Sequence, residues 1–347
     1  MNSPIFGFAL LGTGMISRIH ANAIKQLNKG QLIAVCDRNH DKVQQFAAEF
    51  GCEGYTHISD LLARKDIHIV SVCTPSRLHS AQVIACAQAG KHVITEKPMA
   101  ITWNEAQAMI AACRQANVKL AVISQHRLSP DVIALKQLIT EGRLGQLLAG
   151  NASINWYRTQ DYYDSGSWRG TKALDGGGAL LNQGIHTVDL LQYLMGSVTS
   201  VHAHTRTIGH EHIDVEDIAA AVLTYADGGI GTLFATTCAY PGLQTRIEIF
   251  GQRGSAILEN NELVYVATRD GESDWSHLAE QRVVNLNKKT ANPEDAVGTV
   301  HRLQLQDLID AIDQDREPIV NGEEGAKPLQ IILSAYASAS KGLPIYL

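Results

Sequence analysis

The sequence predicts an α/β protein: an N-terminal Rossmann domain with a parallel sheet, then a C-terminal α+β domain with an open, mostly antiparallel sheet. Three observations predict this. Strand and helix patterns alternate over the first third of the chain. A glycine turn, Gly12-Thr13-Gly14-Met15-Ile16-Ser17, separates the first apolar run from the first helical pattern. After about residue 124, strand patterns follow one another largely without intervening helices. The 347 residues suit two domains at roughly 100–200 residues each, divided here as 1–124 and 125–347.

Ile5–Leu11 is an apolar run of strand length, and Met15–Leu27 repeats Ile16, Ile19, Ala23 and Leu27 at helical spacing. Leu32–Cys36 reads as a strand and Asp41–Phe50 as a helix, with a short strand near Tyr55. Ile67–Cys73 and His92–Thr95 are strands around a helix at Leu78–Ala89; Trp103–Ala116 is a helix and Leu120–Ser124 a strand. Such alternation implies right-handed crossovers between parallel strands. In the second part, Leu148–Trp156, Ser200–Arg206, Ile218–Tyr225, Gly231–Cys238 and Ile247–Phe250 read as strands. The turn Ala226-Asp227-Gly228-Gly229 makes two of them an antiparallel hairpin. Thr224, Thr232, Thr236 and Thr237 among apolar residues fit a sheet with one polar face. Helices are predicted at Leu180–Leu194, Val300–Asp313 and Gly325–Lys341, and the polar stretch Arg269–Asn292 reads as a surface excursion.

The formal charge of -6 argues against nucleic acid, whose phosphates need a basic footprint. No apolar run approaches the roughly 20 residues that span a bilayer, and Met1-Asn2-Ser3-Pro4 carries no basic leader. The expected setting is cytoplasmic, with the six cysteines as reduced thiols.

The glycine turn follows a strand and opens a helix, as a dinucleotide phosphate site requires. Gly12 permits the tight turn and Gly14 the close approach of a pyrophosphate, while Ser17 stands where a third glycine is usual. Met15 and Ile16 begin the helix whose free N–H groups face the anion. Asp37 ends the second strand about 20 residues on, where a carboxylate accepts bonds from ribose hydroxyls. It favours NAD; Arg38, beside it, leaves NADP open. Thr74 and Pro75 end a later strand of the parallel sheet, beside the expected cofactor, and His79 lies one turn into the next helix.

Thr95-Glu96-Lys97-Pro98 ends the next strand. An ammonium at Lys97 would polarise a substrate hydroxyl oxygen, or act as base if burial lowers its proton affinity. Pro98 fixes the backbone there, with a cis bond as one way to do so. Asn182 and His186 are four apart on a predicted helix and share a face, with Asp189 three further on. His186 is the strongest general acid–base candidate because imidazole titrates near neutrality. The preceding Gly176-Gly177-Gly178 permits close approach of a ligand or another backbone. Tyr157, Arg158, Tyr163, Trp168 and Arg169 form an aromatic and cationic segment suited to a sugar ring, or to a packed aromatic cluster. His210-Glu211-His212 with Asp214 lacks metal-site spacing and reads as a solvated loop; His202 and His204, two apart on a strand, likewise read as solvent-facing and not as ligands, and no metal is expected.

Taken together, the turn at 12–17, Glu96-Lys97-Pro98 and Gly176-Gly177-Gly178…Gly184-Ile185-His186…Asp189 resemble the Gfo/Idh/MocA family along essentially the whole chain. The resemblance implies NAD(P)-dependent redox chemistry on sugars, inositols or nucleotide sugars. It implies Glu96 and Lys97 at the cofactor, Lys97 and His186 as catalytic residues, and a dimer or tetramer formed through the second sheet. Inositol dehydrogenases carry Asp four residues before the histidine; Asn182 stands there in this chain, which moves the reading away from inositol itself. Asn182 is expected to hold a substrate hydroxyl instead. Two other readings stay open: a redox-neutral NAD-dependent glycosidase, and a non-catalytic NAD-bound sugar sensor.

Overall fold

The computed structural model describes residues 5–166, 169–269 and 293–347. Trp168 and most of the Arg269–Asn292 stretch lie outside them. The chain forms two compact units. One takes the described residues up to Gln125 and those from Thr290 to Ala326; the other takes the rest.

The first unit contains a six-stranded sheet. Its strands are β1 (Phe6–Leu11), β2 (Gly30–Cys36), β3 (Glu53–Tyr55), β4 (Ile69–Val72), β5 (His92–Thr95) and β6 (Leu120–Val122). They lie in the order β3-β2-β1-β4-β5-β6, all parallel. This is the doubly wound order, which leaves a crevice beyond the carboxyl ends of β1 and β4. Every residue of β1 is buried, as expected of a strand covered on both faces. The crossovers run through helices α1 (Met15–Lys25), α2 (His40–Phe50), α3 (Ile58–Leu62), α4 (His79–Gln88) and α5 (Trp103–Gln115). Asn39 caps α2 by accepting from the Lys42 N–H, and Thr102 caps α5 through the Glu105 N–H.

The sequence assigned all of 125–347 to the second domain, but the described residues 293–326 return to the first unit. The physical reason lies in the long helix Pro293–Asp313. Its Leu305, Leu308 and Ile309 join a core with Phe8, Leu10 and Ile24. Gln304 accepts from the Ser124 N–H and donates to the Val122 carbonyl, and the Val122 N–H reaches the Val320 carbonyl. These bonds occupy the edge of β6, which would otherwise expose unpaired backbone groups.

The second unit begins with α6 (Pro130–Thr140), and α7 (Gln160–Asp164) and α8 (Ile185–Met195) follow. The sheet is built from β7 (Leu147–Asn155), β8 (Val198–Arg206), β9 (Ile218–Tyr225), β10 (Ile230–Thr236), β11 (Arg246–Gly251), β12 (Gly254–Glu259), β13 (Glu262–Thr268) and β14 (Ile345–Tyr346). Their order is β13-β12-β11-β7-β10-β9-β8-β14. β10 and β7 run parallel, and the other pairings are antiparallel. The predicted hairpin is present: Ile230 pairs with Thr224, and Gly228 in the turn has φ +84°. Residues 219, 221 and 223 of β9 are buried, whereas 220 and 222 are exposed. The β12–β13 hairpin was not foreseen. Its turn is Asn260-Asn261, both at positive φ, the backbone of a tight hairpin. A helix spanning Gly322–Lys341 closes the fold before β14.

Candidate active site

In the first unit the phosphate turn has the predicted geometry. Gly12 has φ +102°, and a Cβ there would meet the Cys73 carbonyl at 2.9 Å; both facts demand glycine. A Cβ on Gly14 would meet nothing within 4 Å, and no side chain caps α1. The first N–H groups of that helix are thus left for an external acceptor. Met15 is exposed and Ile16 half-buried, while Ser17 is fully buried in the helix–sheet contact. Asp37 accepts from the Thr13 N–H (3.1 Å) and Thr13 Oγ1 (2.9 Å), which ties this carboxylate to the turn. Arg38 is exposed next to it. An open helix end beside a glycine and a carboxylate fits an adenine dinucleotide.

Thr74 and Pro75 end the β4 segment, and Thr74 donates to Gln82. Lys97 is half-buried after β5, and the Lys97–Pro98 peptide is cis. Two neighbours expected at the cofactor are placed otherwise. His79 is buried, with Nδ1 2.9 Å from the Pro98 carbonyl and Nε2 2.7 Å from the Thr74 carbonyl. It joins two turns instead of facing a ligand, and burial lowers its proton affinity. Glu96 also points inward, with Oε1 2.9 Å from His20 Nε2 and 3.6 Å from His301 Nε2. Burial opposes its ionisation, but these imidazole contacts outweigh it and hold the carboxyl well below the usual range.

In the second unit, His186 opens α8, and its ring meets that of His126 edge-on at 4.9 Å. Asn261 lies 3.1 Å from His126 Nδ1. Asp189, one turn on from His186, forms a bidentate pair with Arg127 (2.9 and 2.7 Å), both buried. Residues Ala179–Gly184 form a π-helical turn, a local geometry frequent at functional sites. The wider turn alters the four-residue spacing assumed for Asn182 and His186. Asn182 donates to Asp175 at 2.5 Å.

The glycine run serves the chain's own packing. A Cβ on Gly178 would meet the Glu216 carbonyl at 1.9 Å, and one on Gly177 the Tyr336 hydroxyl at 2.3 Å. Buried Glu216 accepts from the Gly178 and Leu180 N–H groups and from Tyr336. Burial raises its proton affinity despite those donors.

Arg158 lies 5.1 Å from the rings of both Trp156 and Tyr162 and donates to Gln183, while Arg169 lies 4.3 Å from the Tyr162 ring. Tyr157 packs edge-on against Tyr240. Tyr163 is corrected from ligand-facing to core: it is buried, its hydroxyl bonds to Thr237, and its ring packs on His210. His210 is corrected too. It is packed, not solvated, with Nε2 2.9 Å from the Arg158 carbonyl and Nδ1 3.2 Å from Asp217. Sequence reasoning missed Gln183, His126 and Arg127; they lie on a short 3-10 turn and on the π-helical turn, which carry no periodic signal.

The same two regions are matched in comparison with known proteins. Residues 6–124 match an oxidoreductase family with an NAD-binding Rossmann fold, and residues 132–257 match the Gfo/Idh/MocA C-terminal domain. The chain belongs to the Gfo/Idh/MocA family. Its fold superposes on the WlbA dehydrogenase of Bordetella pertussis, solved with NADH and UDP-GlcNAcA, with a TM-score of 0.91 and 33% identity, covering 100% of this chain and 99% of that one. A D-apiose dehydrogenase from Paraburkholderia graminis is 27% identical over 99% of this chain and 90% of its own. A myo-inositol 2-dehydrogenase from Thermotoga maritima is 29% identical over 85% and 92%. This Gfo/Idh/MocA chain is therefore an NAD-dependent oxidoreductase, and none of its described helices is long and apolar enough to cross a membrane.

Proposed function

We propose that the enzyme oxidises a hydroxyl carbon of an anionic, nucleotide-linked sugar. The observation that carries this reading is the pair of guanidinium groups, Arg158 and Arg169, arranged around the Tyr162 ring. Stacked, forked cations recognise phosphate and carboxylate oxygens better than neutral hydroxyls. The 33% identity to a dehydrogenase solved with UDP-GlcNAcA supports the same substrate class.

Bound NAD supplies the hydride acceptor. In this reading Lys97 donates a hydrogen bond to the substrate oxygen and stabilises its developing negative charge. His186 takes the hydroxyl proton, its ring held by the His126 contact and by the Arg127–Asp189 pair one turn away. Arg158, Arg169, Tyr157 and Asn182 hold the substrate, with Asn182 oriented by Asp175.

The enzyme acts as a homo-dimer or tetramer in the cytoplasm. Support for assembly comes from the outward face of the second sheet, where Val222, Ile230 and Phe234 are 50%, 57% and 37% exposed on neighbouring strands. Support for a reducing compartment comes from six unpaired cysteines.

A screen of NADH formation over UDP-linked aldoses, UDP-linked uronates, free sugars and inositols tests the substrate assignment. The UDP-linked uronates should give the highest kcat/KM; equal or better turnover of a neutral free sugar would refute it.

A further inference from the structure

A chain of buried polar groups runs beneath the carboxyl ends of β4 and β5. Cys73 Sγ lies 3.4 Å from Ser71 Oγ, and Ser71 Oγ lies 2.8 Å from His20 Nδ1. His20 Nε2 lies 2.9 Å from Glu96 Oε1, and Glu96 Oε2 accepts the Lys97 N–H at 3.1 Å. Ser71, His20, Cys73 and Glu96 are all buried. The hydrogen-bond roles follow from donor and acceptor chemistry. Glu96 is ionised, so both its oxygens accept. His20 Nε2 must then donate. Burial keeps the ring neutral, which leaves Nδ1 bare to accept the Ser71 hydroxyl. The Ser71 oxygen in turn accepts from Cys73, whose thiol burial keeps protonated. Each donor is used once and in one direction, an arrangement that fixes one tautomer of His20.

The chain begins at the Cys73-Thr74-Pro75 turn and ends on the backbone of Lys97. His301 adds a second imidazole near the same Glu96 oxygen, and its ring meets that of His20 edge-on at 5.3 Å. We propose that His20 is a positioning residue: through Glu96 it fixes the backbone from which the Lys97 ammonium is presented. The inference rests on the reading of Lys97 as the group that polarises the substrate oxygen. A buried network that only stabilised the fold would tolerate any replacement that kept the protein folded.

The test has an apo arm and a kinetic arm. In apo-protein carrying 15N-labelled histidine, with the His20→Leu spectrum for assignment, His20 should be neutral with the proton on Nε2. A proton on Nδ1, or an imidazolium at neutral pH, would overturn the inference. In kinetics, His20→Leu should lower kcat roughly 10- to 100-fold with NAD affinity essentially unchanged. His20→Gln keeps a donor near the Nε2 position and should recover most of that loss. Equal losses in the two variants, or wild-type kcat in His20→Leu, would overturn it. If His20→Leu does not fold, His20→Asn replaces it: its shorter amide stands near the Nδ1 position and does not reach Glu96, so kcat should fall below that of His20→Gln, and equal kcat in the two contradicts the inference. Failure of the underlying reading looks different: Lys97→Met would then retain turnover, whereas the inference requires that it lose it.

Discussion

Asp189 and Arg127 face each other as a buried bidentate ion pair, with Nε–Oδ2 at 2.9 Å and Nη2–Oδ1 at 2.7 Å. The Arg127 guanidinium also lies 4.6 Å from the Tyr193 ring. The pair fixes α8 one turn beyond His186. Removing one partner leaves the other charge buried, which costs about 3–5 kcal/mol. Asp189→Ala should therefore lower the unfolding free energy obtained from urea titration by that amount. A double variant, Arg127→Met with Asp189→Leu, should recover part of it. A cost under about 1 kcal/mol in the single variant would show that the pair is not what holds α8.

Gly178 offers a second stability test. The Glu216 carbonyl occupies the place of a Cβ at 1.9 Å, so Gly178→Ala must displace backbone. A loss of at least about 2 kcal/mol is expected, measured by thermal or urea unfolding. A neutral effect would mean that the glycine run has slack that the packing does not show.

Asp37 should set cofactor choice. Its carboxylate repels a 2′-phosphate, while exposed Arg38 beside it would attract one. Asp37→Ser should shift the kcat/KM ratio toward NADP by at least about tenfold. NAD affinity should also fall, because Asp37 anchors Thr13. An unchanged ratio would remove Asp37 from the ribose site.

Acid should weaken the fold before carboxylates titrate. Burial depresses the proton affinity of His20 and His79 below the ordinary value. The unfolded chain takes up those protons near pH ~6.5, and the folded chain only lower. Stability is therefore complete above about pH 6.5 and declines as pH falls from there toward the folded values. Glu96, also depressed, adds a further loss below about pH 4.5. Urea midpoints taken from pH 8 to pH 5 should fall at the acid end; a flat or rising profile would contradict neutral buried imidazoles.

Much of this was legible in sequence because periodicity reports burial. The continuous apolar run of β1 and the Gly12–Ser17 turn give the Rossmann sheet and its phosphate end directly. The hairpin at Gly228 follows from its turn residues. What escaped depended on contacts distant in sequence. The helix Pro293–Asp313 is amphipathic wherever it docks, so only the β6 edge and the Phe8 core reveal its place. His79, Tyr163 and His210 are residue types equally common at ligands and in polar cores, and their hydrogen bonds to Pro98, Thr237 and Asp217 decide between the two. Spacing put Asn182 and His186 on one face, but the π-turn at Ala179–Gly184 changes that geometry. Arg127 finds Asp189 across 62 residues, beyond any local pattern.

Lys97 carries the central claim. Steady-state NADH formation by Lys97→Met, beside direct titration of NAD by fluorescence, tests it most directly. The account predicts a loss in kcat of at least ~100-fold with NAD affinity retained, and His186→Ala should behave alike. Turnover near wild type in a folded, NAD-binding Lys97→Met protein would contradict it.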